Sequence, residues 1–141
     1  MELRQGDSEC RVNQKVIVSE ENGRAHIATN PDGQYNVRHY RLDGKLVKHE
    51  TCCDYLLLND SLQNAYYIEL KGHDISRAVE QVLAGERLCR ALLKNYVSYY
   101  RIVASKSPTL DNMPKKYRNL LDKVGTKRLI CKTRRLEEIL G

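Results

Sequence analysis

The chain has 141 residues, enough for one domain with its own core and short for two. Lys and Arg total 24 against 18 Asp and Glu, and the resulting formal charge of +6 favours a polyanionic partner without specifying one. The cysteine count of five is odd and includes the adjacent Cys52 and Cys53, which argues against a disulfide framework; no apolar run approaches the ~20 residues of a membrane span, and MELRQGDSEC lacks the apolar stretch of a secretory signal. The expectation is a cytoplasmic protein with reduced thiols and no membrane partner.

The first elements read as hairpins. Lys15 to Ser19 (KVIVS) is β-branched, Asn22-Gly23 signals a turn, and Arg24 to Thr29 returns as a second strand. After the loop Asn30-Pro31-Asp32-Gly33, Tyr35 to Leu42 reads as a strand. Asp43-Gly44 then reads as a turn, with Lys45 to His49 as the returning partner. Cys53 to Leu58 (CDYLLL) and Ala65 to Leu70 (AYYIEL) are nearly continuous apolar runs, as in strands buried on both faces.

Beyond Gly72 the period changes. Asp74 or Ser76 can cap a helix whose stripe is Ile75, Ala78, Val79, Val82, Cys89 and Leu93, with Gly85 as its weak point. Tyr96 to Ala104 reads as a strand and Lys115 to Val124 as a helix ended by Gly125. Arg128 to Lys132 reads as a last strand, with a short tail helix after it. This order predicts an α/β (α+β) single domain, 1–141, with a central mixed β-sheet flanked by helices. It divides into a hairpin-rich part (1–50), a core (51–105) and a basic C-terminal part (106–141).

Two acids inside these apolar runs carry the chemistry. Side chains two apart on a strand share a face, so Glu69 and Lys71 point one way and Leu70 the other. An antiparallel hairpin through Asn59–Asn64 brings Asp54, at the start of one strand, beside Glu69, at the end of the next. Two adjacent carboxylates favour a hard cation such as Mg²⁺, and the Leu70 carbonyl offers a third oxygen. A metal-bound water so activated hydrolyses phosphodiesters. The alternative is an ion pair of Glu69 with Lys71 at a strand end.

The stretch CDYLLL…AYYIELKG resembles the signature of the PD-(D/E)XK, or restriction-endonuclease-like, nuclease superfamily over about residues 45–105. The resemblance implies Asp54, Glu69 and Lys71 as catalytic residues, with Gln81 of AVEQV at a helix position that contributes in some members. It implies metal ligation by Asp54, Glu69 and Leu70, with Mn²⁺ able to replace Mg²⁺. Two features depart from the family: Cys53 stands before the first acid instead of proline, and no upstream glutamate can be assigned among Glu20, Glu21 and Glu50.

The partner this implies is nucleic acid, DNA ahead of RNA, with a homodimer as a further expectation. His73, Lys115, Lys116, Lys127 and Arg128 are the candidate nucleic-acid contacts, against the simpler reading of a solvated basic face. Tyr96, Tyr99 and Tyr100 fit a core edge better than base stacking. A Cys–His nucleophile lacks any supporting oxyanion motif. The main alternative is a restriction-endonuclease-like module that binds nucleic acid without cutting it, alone or as a subunit of a larger complex.

Overall fold

The computed structural model describes residues 1–70 and 72–141, so Lys71 lies outside the described residues. Among the described residues eight strands and two α-helices follow one another: β1 (Val16–Glu21), β2 (Arg24–Thr29), β3 (Val37–Arg41), β4 (Tyr55–Asn59), β5 (Asn64–Glu69), α1 (Ile75–Cys89), β6 (Val97–Ala104), α2 (Lys115–Val124), β7 (Leu129–Thr133) and β8 (Arg135–Ile139). The five-stranded sheet runs β3-β4-β5-β6-β7 and a three-stranded sheet runs β1-β2-β8. In the large sheet β3, β4 and β5 are antiparallel neighbours, whereas β5, β6 and β7 are parallel, so the sheet is mixed as the sequence predicts.

Each face of the large sheet is covered differently. Leu56, Leu58, Ala65, Tyr67, Tyr100 and Ile102 pack beneath α1 and α2, against Ile75, Ala78, Val79, Val82, Tyr117 and Leu120. Tyr55, Leu57, Tyr66, Ile68 and Val103, alternating with them, pack against Ile17, Ala28 and Leu136 of the small sheet. Burial on both faces explains why β4 is buried along its whole length. Each fully buried Val, Leu or Ile contributes about 1.5–3 kcal/mol.

Helix α1 starts where Asp74 accepts from the Arg77 N–H at 3.1 Å. Gly85 turns out to suit its position: a Cβ there would lie 2.6 Å from Cys53 Sγ and 3.4 Å from Tyr67 Cδ1. The helix therefore sits closer to the sheet than any larger residue allows, which offsets the glycine's low helix propensity.

Two expectations fail. Lys45–His49 is not a strand. Residues 43–47 close on themselves, with Val47 N–H donating to the Leu42 carbonyl and Gly44 N–H to the Val47 carbonyl, both at 2.9 Å. The long apolar β4 takes the edge of β3 that this segment was expected to occupy. The tail is strand β8, not a helix. It pairs in parallel with β2, burying Leu136, and Leu140 just beyond it is buried too. Leu136 and Leu140 satisfy both a four-residue helical step and a two-residue strand alternation, and long-range pairing decides between them.

Candidate functional site

The register of β4 and β5 pairs Tyr55 with Ile68. One step further, at the end of the ladder, Asp54 stands opposite Glu69. A side-chain contact fixes the first acid there: Leu70 N–H donates to Asp54 Oδ2 at 2.9 Å. The Asp54 carbonyl accepts from Leu42 N–H at 2.9 Å, extending the β3–β4 ladder, so the residue is held from both neighbouring strands. By alternation Asp54 and Glu69 share parity with Leu56, Leu58, Ala65 and Tyr67 and belong to the helix-covered side. Glu69 is 0% and Asp54 6% exposed, so the pair sits beneath the surface at the strand ends.

The surroundings of Cys53 agree with this placement. Burial pushes its thiol well above the ordinary range, and the nearby Cys52 and Glu69 add to the shift. Such a thiol is a packing group and not a nucleophile. Cys89 is likewise buried, and burial takes its thiol up to about 12.

Carboxylate oxygens are the hard donors that Mg²⁺ prefers, and that ion keeps several of its waters, so two carboxylates are a chemically suitable protein share. The third proposed donor is engaged: the Leu70 carbonyl accepts from Arg24 Nε. A guanidinium there opposes a cation on the same oxygen, and the fit rests on Asp54 and Glu69. Among the described residues no group of three or more His, Cys, Asp or Glu side chains is placed to hold a metal ion.

Two clefts are lined by residues that neighbour the acids in sequence or in hydrogen bonding, and neither is lined by Asp54 or Glu69 themselves. One, of about 380 Å³, is lined by Gln81, Arg77, Asp43, His49, Glu50, Thr51 and Cys52. It brings Gln81 and Glu50 near the segment that leads into Asp54. The other, of about 630 Å³, is lined by Asn22, Gly23, Arg24, His73, Ser105, Lys106 and Arg134. It adjoins the Leu70 carbonyl through Arg24, whose Nη1 also donates to Ser105 Oγ at 2.8 Å.

The basic residues divide by position. Helix α2 begins on the side where β6 ends, the side of the acids, and places Lys115 and Lys116 there. Lys116 ion-pairs with Glu80 of α1, while Lys115 is exposed. Lys127 and Arg128 instead precede β7 at the opposite end. Leu129 pairs with Tyr100 and Cys131 with Ile102, the partner of Glu69, so Arg128 lies three residues, roughly 10 Å, back along the strand. Arg128 Nε donates to the Ser98 carbonyl at 2.8 Å, and the Lys127 carbonyl accepts from Arg101 at 3.1 Å. His73 is exposed and lines the larger cleft. The tyrosines behave as a core edge: Tyr100 donates to Glu86, Tyr96 donates to Asp60, and Tyr99 stacks on Tyr66.

Arg24, Ser105 and Arg134 are the site-lining residues that sequence reasoning misses as a group. Arg24 follows a legible turn, but nothing local says that this turn arrives beside Leu70. Arg134 stands in a visible run of basic residues, yet only the change of sheet between β7 and β8 brings it to the cleft.

Comparison with family models, with curated proteins and with solved structures finds no match to this chain. The fold and site define a mixed α+β protein with a buried pair of acids at paired strand ends and a cationic cleft alongside. Among the described residues no helix is long and apolar enough to cross a membrane.

Proposed function

We propose that the chain is a metal-dependent nuclease that hydrolyses phosphodiester bonds, in DNA ahead of RNA, at Asp54 and Glu69. The single observation that carries this reading is the antiparallel register that sets Asp54 opposite Glu69, with Asp54 pinned to the Leu70 N–H at 2.9 Å. Asp54 and Glu69 would hold the Mg²⁺ or Mn²⁺. When bound, that ion lowers the pKa of a coordinated water and offsets charge building on the phosphate. The backbone bond to Leu70 orients Asp54, and the covering helix limits bulk water around the pair. In this proposal Lys71 orients the attacking water, as the resemblance implies, and Gln81 contributes from the neighbouring cleft.

A second reading has support of its own. Near-complete burial of Glu69 and Asp54 favours a module that binds nucleic acid through its basic surface without cutting it. The separating experiment incubates the protein with supercoiled, linear and single-stranded DNA and with RNA, with and without Mn²⁺. Cleavage that requires the ion and is lost in Asp54→Asn and Glu69→Gln supports the nuclease. Binding without cleavage of any substrate supports the module, and cleavage surviving in either variant removes the assigned site.

A further inference from the structure

The larger cleft, which Arg24 links to the Leu70 carbonyl at the end of β5, has an unusual charge balance. Arg24, Lys106, Arg134 and His73 line it, and among the described residues no acidic one does. Glu21 lies next to Asn22 in the chain but is not part of the lining. Among the described residues Arg24, Lys106 and Arg134 make no ion pair of their own, in contrast to Arg38 with Asp60 or Lys116 with Glu80. Asn22 and Ser105 add an amide and a hydroxyl. A concave surface whose described lining carries three cations and no carboxylate is complementary to an anion of multiple charge.

The cleft is also built on pinned backbone. The sheets meet here: Arg134 N–H donates to the Ala104 carbonyl of the large sheet and Ala25 N–H to the Arg134 carbonyl, both at 2.9 Å. Arg134 takes the left-handed conformation, φ +63°, to make that crossing. Ser105 N–H donates to the Gly72 carbonyl at 3.0 Å. Gly72 is needed for this approach, since a Cβ would lie 2.6 Å from Ala104. Arg24 is held by Leu70 and Ser105. These attachments fix where the cationic side chains emerge, so little ordering is left for a ligand to bring about.

We propose that this cleft is a phosphate-binding subsite, which takes a phosphate group of a nucleic-acid strand and seats that strand beside Asp54 and Glu69. For the identity of the ligand it rests on the nuclease reading; the charge argument does not. The phosphate comes either from a strand end, as a monoester, or from within the strand. Arginine and lysine serve both, arginine by paired donors and lysine as a point charge.

The test is binding with metal chelated, so that no turnover occurs. Inorganic phosphate, then a short oligothymidylate bearing a 5′-phosphate or a 5′-hydroxyl, is titrated into the wild type and into Lys106→Glu/Arg134→Glu. A Lys94→Glu/Lys123→Glu variant matches the charge change outside the cleft. Saturable phosphate binding that weakens at least about tenfold in the cleft variant and less than about twofold in the control supports the subsite. A 5′-phosphate preference that vanishes in the cleft variant assigns the strand end, and equal binding of both oligonucleotides assigns an internal phosphate. No saturable phosphate binding, or equal loss in both variants, overturns the proposal. Should Lys106→Glu/Arg134→Glu unfold, Lys106→Gln/Arg134→Gln gives the same comparison. Phosphate binding without cleavage of any substrate sinks the nuclease reading alone, whereas metal-dependent cleavage with an indifferent cleft sinks the subsite alone.

Discussion

Glu138, half-buried, and Glu69, fully buried, are both acids near β6, and their surroundings differ in kind. Glu138 lies between the two sheets, where Arg101 grips both of its oxygens at 2.8 and 3.1 Å and His26 lies 2.6 Å away. Arg101 also donates to the carbonyls of Tyr100, Lys127 and Arg128 and lies over the Tyr66 and Tyr99 rings. Burial alone would raise the Glu138 carboxyl, but hydrogen bonds from His26 and Arg101 outweigh it and hold the group at about 2. Glu69 sits instead at a strand end opposite Asp54, where a helix, two clefts and a loop converge. An acid enclosed by its own guanidinium and imidazole is a joint between sheets. The acid pair lies instead at paired strand ends, with Asp54 held by the Leu70 N–H.

The largest effect should come from breaking the joint. Arg101→Met keeps most of the stem but leaves the half-buried Glu138 without its guanidinium, and should cost about 3–5 kcal/mol in urea unfolding. A loss below about 1 kcal/mol would mean that the network does not hold the sheets together. Asp54→Asn should do the reverse. The amide oxygen still accepts from Leu70 N–H, so stability should move by less than about 1 kcal/mol. If the chain is the proposed nuclease, metal-dependent cleavage should fall at least about 10²- to 10³-fold. If Asp54→Asn destabilises as much as Arg101→Met, the acids are a second structural joint and the contrast collapses.

Acid titration sharpens the same contrast. His39 is buried against Tyr55, with Ser19 Oγ 2.8 Å from its Nε2. Burial lowers it from 6.5 to about 4, with Glu9 opposing and His26 assisting. The unfolded chain therefore binds a proton at higher pH than the folded one does. Stability is fully present above pH 6.5 and is lost as pH falls from there towards 4, by up to about 3 kcal/mol. Glu138, depressed from 4.5 to about 2, adds a second loss in the lower window between those values. Urea midpoints measured across pH should show both limbs. His39→Gln should flatten only the upper limb, and an unchanged upper limb would rule out His39 as its source.

What the sequence made legible follows the range of the interactions. Asn22-Gly23 sets the first hairpin because both residues adopt positive φ, +50° and +80°, which Asn and Gly tolerate. Asp54 and Glu69 could be paired in advance because the turn between their strands is short and fixes the register. Asp74 or Ser76 marked the start of α1 for an equally local reason, and Asp74 is the cap. Arg24, Ser105 and Arg134 meet only because the small sheet lies across the large one, and no local pattern encodes that. The error at the tail has the same origin: parallel pairing with β2 and the Glu138–Arg101 bond, 37 residues apart in sequence, decide a segment whose apolar spacing fits two periods.

The smallest effect separates the two ends of the large sheet. Lys115 is exposed at the acid end, whereas Lys127 is exposed at the other, near the carbonyls that Arg101 ties down. If a strand crosses the acids, Lys115→Glu should lower the slope of log affinity against log salt by about one and weaken binding modestly. Lys127→Glu should leave both nearly unchanged. Gel-shift titrations at several salt concentrations measure this with chelated metal. A larger effect for Lys127→Glu than for Lys115→Glu would place the nucleic acid across the far end of the sheet, away from Asp54 and Glu69, and would favour the binding module over the nuclease.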